Sequence, residues 1–166
     1  LFLWHTSGGN IVSGDSTAQP LISAPGQYGL TVTDPANGCT TTGGAIVFQN
    51  TTPPPIDILP ASVITCSSPS QSLQGQNTAS GGSFSYSWMA SGGGHISTGD
   101  TTLTPLIDAP GMYHMLATNL VNGCHATDSV QVQSNTTLPV VDAGMPDTLT
   151  CLSNSLTING VASGQA

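Results

Sequence analysis

The chain contains one passage twice. Shifting the 166-residue sequence by 85 positions aligns "NGC" at 37–39 with "NGC" at 122–124. Around Trp4 and Trp88 the shift is 84, because "TSGGN" is replaced by "ASGGGH", which has one more glycine. Length changes of this kind are well tolerated in surface loops. A period near 85 residues is too long for a solenoid unit and fits one small β-sandwich.

The repeat is cut out of frame and predicts three parts. Residues 53–137 form one complete unit, 1–52 are the C-terminal part of a preceding unit, and 138–166 are the N-terminal strands of a following one. Because the chain starts on "LFLWH", inside the pattern of a unit, we expect it to be a piece of a longer array.

Composition narrows both the fold class and the partners. The sequence has no Lys or Arg, and its net charge of -8 comes entirely from aspartates. Binding to nucleic acid depends on Lys and Arg, so that class of partner is excluded. No apolar run approaches the roughly 20 residues of a membrane span. Abundant Gly, Ser, Thr and Val with few helix formers predicts an all-β chain.

Alternation and turn residues place six strands in the complete unit. The predicted strands are Ile56–Ile64, Gln71–Gly75, Ser83–Ala90, Thr101–Ile107, Met112–Asn119 and Thr127–Gln133. A Trp on the third strand and a Pro-Gly-x-Tyr corner stand where immunoglobulin-like sandwiches have them. We therefore expect tandem immunoglobulin-like β-sandwiches with an aromatic core of Trp4, Tyr28, Trp88 and Tyr113.

The four cysteines are of two kinds. Cys66 and Cys151 follow the first strand of a unit, whereas Cys39 and Cys124 precede its last strand. A Cys66–Cys124 disulfide within the complete unit is the favoured prediction and would contribute on the order of 4 kcal/mol. In a plain immunoglobulin sandwich, however, these two turns lie at opposite ends. The alternatives are bonds to a neighbouring unit or molecule, which Cys39 and Cys151 need in any case, or free thiols.

Little in the sequence points to catalysis or to a metal. The four histidines have no counterpart in the other unit, and no Glu is present to act as a general acid. We therefore predict that the chain is not an enzyme and needs no cofactor. Calcium is the alternative, because equivalent aspartates, Asp57 and Asp142, follow the two junctions. Neither belongs to the clustered D-x-D of a tight site.

Several motifs give the chain a family resemblance. "TLTCLSNSLTING", the "APGxY" corner, "NGC" with "ATDSV", and "NTTLPVVDAG" occur in this order. They resemble the tandem immunoglobulin-like or PKD-like repeats of very large surface adhesins secreted by gliding and marine Bacteroidota. The resemblance implies export to the cell surface by the type IX secretion system. The first junction departs from the pattern, since "NTTPPPIDIL" replaces "NTTxPxVDAG".

The same resemblance implies O-glycosylation of Ser or Thr after Asp. The pattern occurs four times and gives the candidate acceptors Ser16, Thr101, Ser129 and Thr148. Ser16 and Thr101 are equivalent positions just after a glycine-containing loop, which makes them the best candidates. The structural alternative is a plain turn with an Asp cap.

Together these observations predict a structural repeat of an extracellular adhesin or surface filament. Its partners would be neighbouring repeats or copies of itself, joined end to end into a stiff stalk. The competing hypothesis is a module that binds a surface glycan or a protein receptor, assisted by calcium. It requires solvent-exposed aromatic side chains.

Overall fold

The computed structural model describes residues 1–164, and all the regular elements in this range are β-strands. The chain divides into two compact units, Leu1–Thr52 and Pro53 onward. Unit 1 contains five strands: β1 (Phe2–Ser7), β2 (Ile11–Ser13), β3 (Leu21–Ile22), β4 (Gly26–Thr33) and β5 (Thr40–Val47).

Unit 2 contains the other strands in two groups. The first group is β6 (Ile56–Ile58), β7 (Ile64–Thr65), β8 (Gln71–Ser72), β9 (Gly75–Asn77), β10 (Phe84–Ser91), β11 (Ile96–Thr98), β12 (Leu106–Ile107), β13 (Gly111–Asn119), β14 (His125–Val132) and β15 (Ser134–Asn135). The second group is a short C-terminal pair, β16 (Val140–Asp142) and β17 (Val161–Ser163).

Two layers enclose the core of unit 2. Strands β10, β13 and β14 form one antiparallel sheet, and β7 extends its edge by pairing in parallel with β15. The other layer consists of β6 paired with β9 and of β8, β12 and β11 side by side. The buried core side chains come from both layers: Ile58, Ile64, Leu73, Trp88, Ile107, Tyr113, Met115 and Val132. This strand order is immunoglobulin-like and confirms the predicted fold class.

Tyr113 ties a corner of the sandwich together. Its hydroxyl donates a hydrogen bond to the carbonyl oxygen of Ala109, four residues earlier, and accepts one from the backbone N–H of His95. This is the tyrosine corner of immunoglobulin-like domains. Burial raises the pKa of the Tyr113 phenol above its ordinary value. The backbones of Gly94 and Gly111 meet beside this corner, where a Cβ on Gly111 would lie 2.4 Å from the Gly94 nitrogen.

Unit 1 repeats the second half of this sandwich. Strands β1, β4 and β5 pair in the register of β10, β13 and β14, and the β2–β3 pair matches β11–β12. The Tyr28 hydroxyl donates to the Ala24 carbonyl oxygen, as Tyr113 does to Ala109. Unit 1 contains no counterpart of β6 to β9 among its described strands.

Three of the six predicted strands differ from the structure. The predicted strand 71–75 is two elements, β8 (Gln71–Ser72) and β9 (Gly75–Asn77), which pair in different sheets. The predicted strand 56–64 is two elements, because Pro60 lacks an N–H and interrupts the ladder between β6 and β7. The predicted strand 101–107 is wrong over its first part, where residues 101–104 form a turn and a bend. Strand β11 was not predicted, because three residues after a glycine loop are too few to display the alternation of apolar and polar residues that indicates a strand.

Candidate functional site

Each unit carries an exposed turn held in place by a tryptophan. In unit 2 the Trp88 N–H donates to the Asp100 carbonyl oxygen, and its indole Nε1–H donates to the Thr102 carbonyl oxygen, both at 2.7 Å. The Thr102 hydroxyl donates to the Gly99 carbonyl oxygen at 2.8 Å. Between these anchors, Thr101 is exposed at the tip of the turn.

The same turn occurs in unit 1 with the same bonds. The Trp4 N–H donates to the Asp15 carbonyl oxygen at 2.7 Å, and the Trp4 indole donates to the Thr17 carbonyl oxygen at 2.9 Å. Ser16 is exposed at the position of Thr101. The structure therefore presents both hydroxyl groups to solvent on a turn of defined shape.

The other two acceptor candidates lie in different surroundings. Ser129 is exposed on β14, but the preceding Asp128 is half-buried, and its Oδ2 accepts a hydrogen bond from the Ile58 N–H at 2.8 Å. Thr148 is exposed in the C-terminal segment, where its N–H donates to the Asp147 carboxylate at 2.7 Å. The Trp-held turn is found at Ser16 and Thr101 and not at these two residues.

The predicted aromatic core is buried in unit 2 and partly open in unit 1. Trp88, Tyr113 and Tyr28 are buried. Trp4 remains half-exposed. The indole of Trp88 faces the interior, so it does not offer a flat surface to a ligand.

The predicted Cys66–Cys124 bond is not formed. All four thiols are free, with Cys39, Cys66 and Cys151 exposed and Cys124 half-buried. Strand β7 runs parallel to β15, with Ile64 beside Ser134, so Cys66 is level with Thr136. Cys124 precedes β14, on the order of 30 Å away along the sheet. A disulfide needs Cα atoms within about 7 Å, so the parallel pairing of β7 with β15 excludes this bond within unit 2.

The candidate calcium ligands are surface aspartates. Asp57 and Asp142 are both exposed, and the Asp142 carboxylate accepts a hydrogen bond from the Gly144 N–H at 2.9 Å. Within residues 1–164, no group of three or more His, Cys or Asp side chains is placed to hold a metal ion.

Sequence analysis missed one close pair of ionisable side chains. His95 Nδ1 lies 2.7 Å from Asp108 Oδ1, and the Ser97 hydroxyl donates to Asp108 Oδ2 at 2.8 Å. The hydrogen bond from His95, followed by that from Ser97, lowers the pKa of Asp108. In unit 1 the equivalent positions hold Asn10 and Ser23, whose side chains are hydrogen-bonded at 2.7 Å. The Asn10–Ser23 pair links the two sides of the β2–β3 hairpin, and the His95–Asp108 pair links those of the β11–β12 hairpin. In the sequence, only the alignment of the two repeats could have indicated the His95–Asp108 contact.

Unit 1 has a depression of about 250 Å³ on its surface. It lies over Gly29 and Gly44, where unit 2 carries the larger His114 and Ser129. Its lining includes His5 but no carboxylate. An acid–base pair is therefore missing from it.

Comparison with known proteins gives structural similarities at low scores. No family model matches the sequence, and no curated protein matches it significantly. A chimeric titin Z1Z2-Z1Z2 tandem is 18% identical, with 81% of this chain and 84% of that chain covered and a TM-score of 0.32. Titin domains z1z2 in complex with telethonin are 19% identical (83% and 82% covered, TM-score 0.35), and murine CEACAM1b is 16% identical (81% and 85%, 0.32). The fold assignment rests on the strand order and contacts of this chain itself.

Proposed function

We propose that this chain is a structural segment of an extracellular adhesin or surface filament, in which sandwich units follow one another to form a stiff stalk. The observation that carries the proposal is that the two units share structural contacts but not the side chains suited to catalysis. They share the Trp-held turn and the tyrosine corner, with the same bonds. The His95–Asp108 pair is replaced by Asn10–Ser23, so the side chains suited to chemistry are not kept.

The junction before unit 2 supports a stiff connection. Residues 53–55 are three consecutive prolines, which favour extended backbone. The Pro55 carbonyl oxygen accepts a hydrogen bond from the Thr78 N–H at 3.1 Å, so the end of the junction is attached to unit 2. A connection of this kind loses little entropy when it is held straight.

Charge and surface chemistry suit an exported, glycosylated stalk. Eight aspartates without a single Lys or Arg give units that repel one another sideways. Among residues 1–164 no helix has the length and hydrophobicity that a membrane crossing needs. The exposed hydroxyls of Ser16 and Thr101 are the proposed sites of O-linked glycans. The proposed function requires no cofactor, and calcium at Asp57 or Asp142 is the alternative.

Stretching single molecules tests the mechanical role. With the chain held by its two ends, unit 2 should unfold in one discrete step that releases about 25 nm of chain. A Trp88→Ala variant, which empties the centre of the core, should unfold at clearly lower force. Gradual extension without a step, together with saturable binding to a simple glycan, would instead favour the contact-module hypothesis. A change of the unfolding force on calcium chelation would show that the ion takes part.

A further inference from the structure

The outer face of the sheet formed by β10, β13 and β14 carries a methionine that the core does not use. On β10, four side chains face away from the buried Trp88, and three of them are serines. The fourth is Met89, which is 68% exposed. Packing within unit 2 therefore does not account for a methionine at this position.

Strand pairing brings a histidine and a second methionine beside Met89. In the register of β10 and β13, Met89 pairs with His114 and Ser91 pairs with Met112. Residues two apart on a strand point to the same face, so all four side chains lie on the outer face. We call these four residues the thioether patch. Met89 and Met112 occupy one pair of opposite corners, and Ser91 and His114 occupy the other.

The imidazole of His114 extends across the thioether patch. Its Nε2 lies 3.2 Å from the Ser91 Oγ, at the diagonally opposite corner. The ring therefore crosses the space between Met89 and Met112. The Cβ atoms of diagonal neighbours are roughly 7–8 Å apart. Each methionine sulfur is two bonds beyond its Cβ on a flexible side chain, so both sulfurs can reach an ion held at the His114 nitrogen.

Two thioethers and one imidazole form a set of ligands that selects Cu(I). Thioether sulfur is a soft, uncharged ligand that prefers Cu(I), and imidazole also binds copper. Calcium and magnesium take oxygen ligands, and zinc takes thiolate, imidazole or carboxylate ligands. The three ligands carry no charge themselves, but a chain of charge -8 without Lys or Arg attracts a cation to its surface.

We propose that Met89, Met112 and His114 form a surface site of unit 2 that binds one Cu(I) ion. The two sulfurs and the His114 Nε2 are its ligands, and the Ser91 hydroxyl gives up its hydrogen bond to this nitrogen. The bond is solvent-exposed, so water replaces the ring as the partner of the hydroxyl at little cost. This goes beyond the proposed function, which requires no ion.

Unit 1 offers a different set of side chains at the equivalent positions. They hold no sulfur, since the residues there are His5, Gln27 and Gly29. The glycine provides no ligand, and one imidazole alone does not make a Cu(I) site. The expected stoichiometry is therefore one ion per chain, once the cysteine thiols have been removed from competition.

Competition with a chromogenic Cu(I) chelator tests the site. The experiment uses the 166-residue chain with its four cysteines replaced by Ser, because thiolates bind Cu(I) themselves. Ascorbate keeps the ion reduced in the absence of oxygen. Met89→Leu and Met112→Leu should each weaken binding by more than about 10-fold, since even the loss of an outer-shell partner costs that much. The matched control is Met145→Leu, at a methionine that is 89% exposed and outside the patch, and it should leave binding unchanged.

The methionine methyl signals in NMR spectra identify the ligands without any substitution in the patch. The chain has four methionines, so each signal can be assigned by replacing one residue at a time. Cu(I) should shift the signals of Met89 and Met112. The signals of Met115, which is buried on the other face of β13, and of Met145 should stay in place.

Three results would overturn the proposal. The first is that no Cu(I) is bound once the cysteines are replaced. The second is that Met145→Leu weakens binding as much as Met89→Leu does. The third is that Cu(I) leaves the methyl signals of Met89 and Met112 unshifted. Leu has nearly the size of Met, so the variants should unfold at the same temperature as the parent chain. If one of them does not, the methyl titration of the parent chain still decides the outcome.

Discussion

The indole Nε1–H of Trp88 donates a hydrogen bond to the carbonyl oxygen of Thr102 at a distance of 2.7 Å, from inside the core of unit 2. One buried side chain thereby joins the sandwich interior to the exposed turn that carries Thr101. The equivalent bond from Trp4 to Thr17 shows that the arrangement belongs to the repeat.

Trp88→Phe should remove this bond while keeping an aromatic ring in the core. We expect the free energy of unfolding of unit 2 to fall by about 1–3 kcal/mol, because the Thr102 carbonyl loses its donor and the smaller ring leaves space. Denaturant titration measures the change. Trp4→Phe, at the half-exposed equivalent, should have a smaller effect, and an equal effect would contradict this account.

Gly75→Ala should destabilise unit 2, because the added Cβ would lie 2.8 Å from the Met115 sulfur and 3.0 Å from the Leu103 carbonyl oxygen. A loss of about 1–3 kcal/mol is typical for overpacking. Gly160→Ala is the matched control, since the nearest atom to its Cβ, the Asp142 carbonyl oxygen, is 3.5 Å away. Thermal unfolding of both variants measures how much each substitution destabilises the chain. Equal destabilisation by Gly75→Ala and Gly160→Ala would contradict the close packing at Gly75.

Replacing Cys66 and Cys124 by Ser should leave the free energy of unfolding of unit 2 within about 0.5 kcal/mol, whether measured under oxidising or reducing conditions. Both thiols are free and lie at opposite ends of the sandwich. Loss of a disulfide would cost about 2–5 kcal/mol and would be seen only under oxidising conditions. A bond from these cysteines to a neighbouring unit or molecule stays a prediction, and non-reducing mass analysis of native material tests it.

Acid should weaken the β11–β12 hairpin through Asp108. Its pKa is lowered in the folded chain by the His95 and Ser97 hydrogen bonds, so its contribution is complete above the ordinary value of 3.8 and is lost as the pH falls below that value. The Asp108→Asn variant should therefore lose less of its free energy of unfolding than the unmodified chain when the pH falls below 3.8. The control variant Asp57→Asn, at an exposed position, should show the same pH dependence of stability as the unmodified chain. Because the pair is solvent-exposed, the effect is expected to be small.

Native material should carry O-linked glycans at Ser16 and Thr101. Peptide mass analysis before and after glycan release should show added mass on the two peptides with these residues, because the Trp-held turns present both hydroxyls to solvent. Ser129, whose neighbouring Asp128 is occupied by the Ile58 N–H, is expected to be modified less. Unmodified peptides at both turns would rule out this role for them.

Much of the fold could be predicted because its signals are local. Alternation in Phe84, Tyr86 and Trp88 indicates one buried face, and the Pro-Gly-x-Tyr corner marks the start of β13. The three residues of β11 could not be predicted, because so short a segment does not encode which partner strand is available. The division of the first strand was missed although its cause, the absent N–H of Pro60, is visible in the sequence.

The amino-acid sequence by itself determined the 85-residue repeat, the all-β class, the aromatic core positions and a surface without cations. These properties depend on residue type and on spacing along the chain. Only the tertiary structure decided that β7 runs parallel to β15, which separates Cys66 from Cys124, and that His95 meets Asp108. Such relationships join residues that are distant in the chain, and they arise when long-range strand pairing sets the direction and register of each strand.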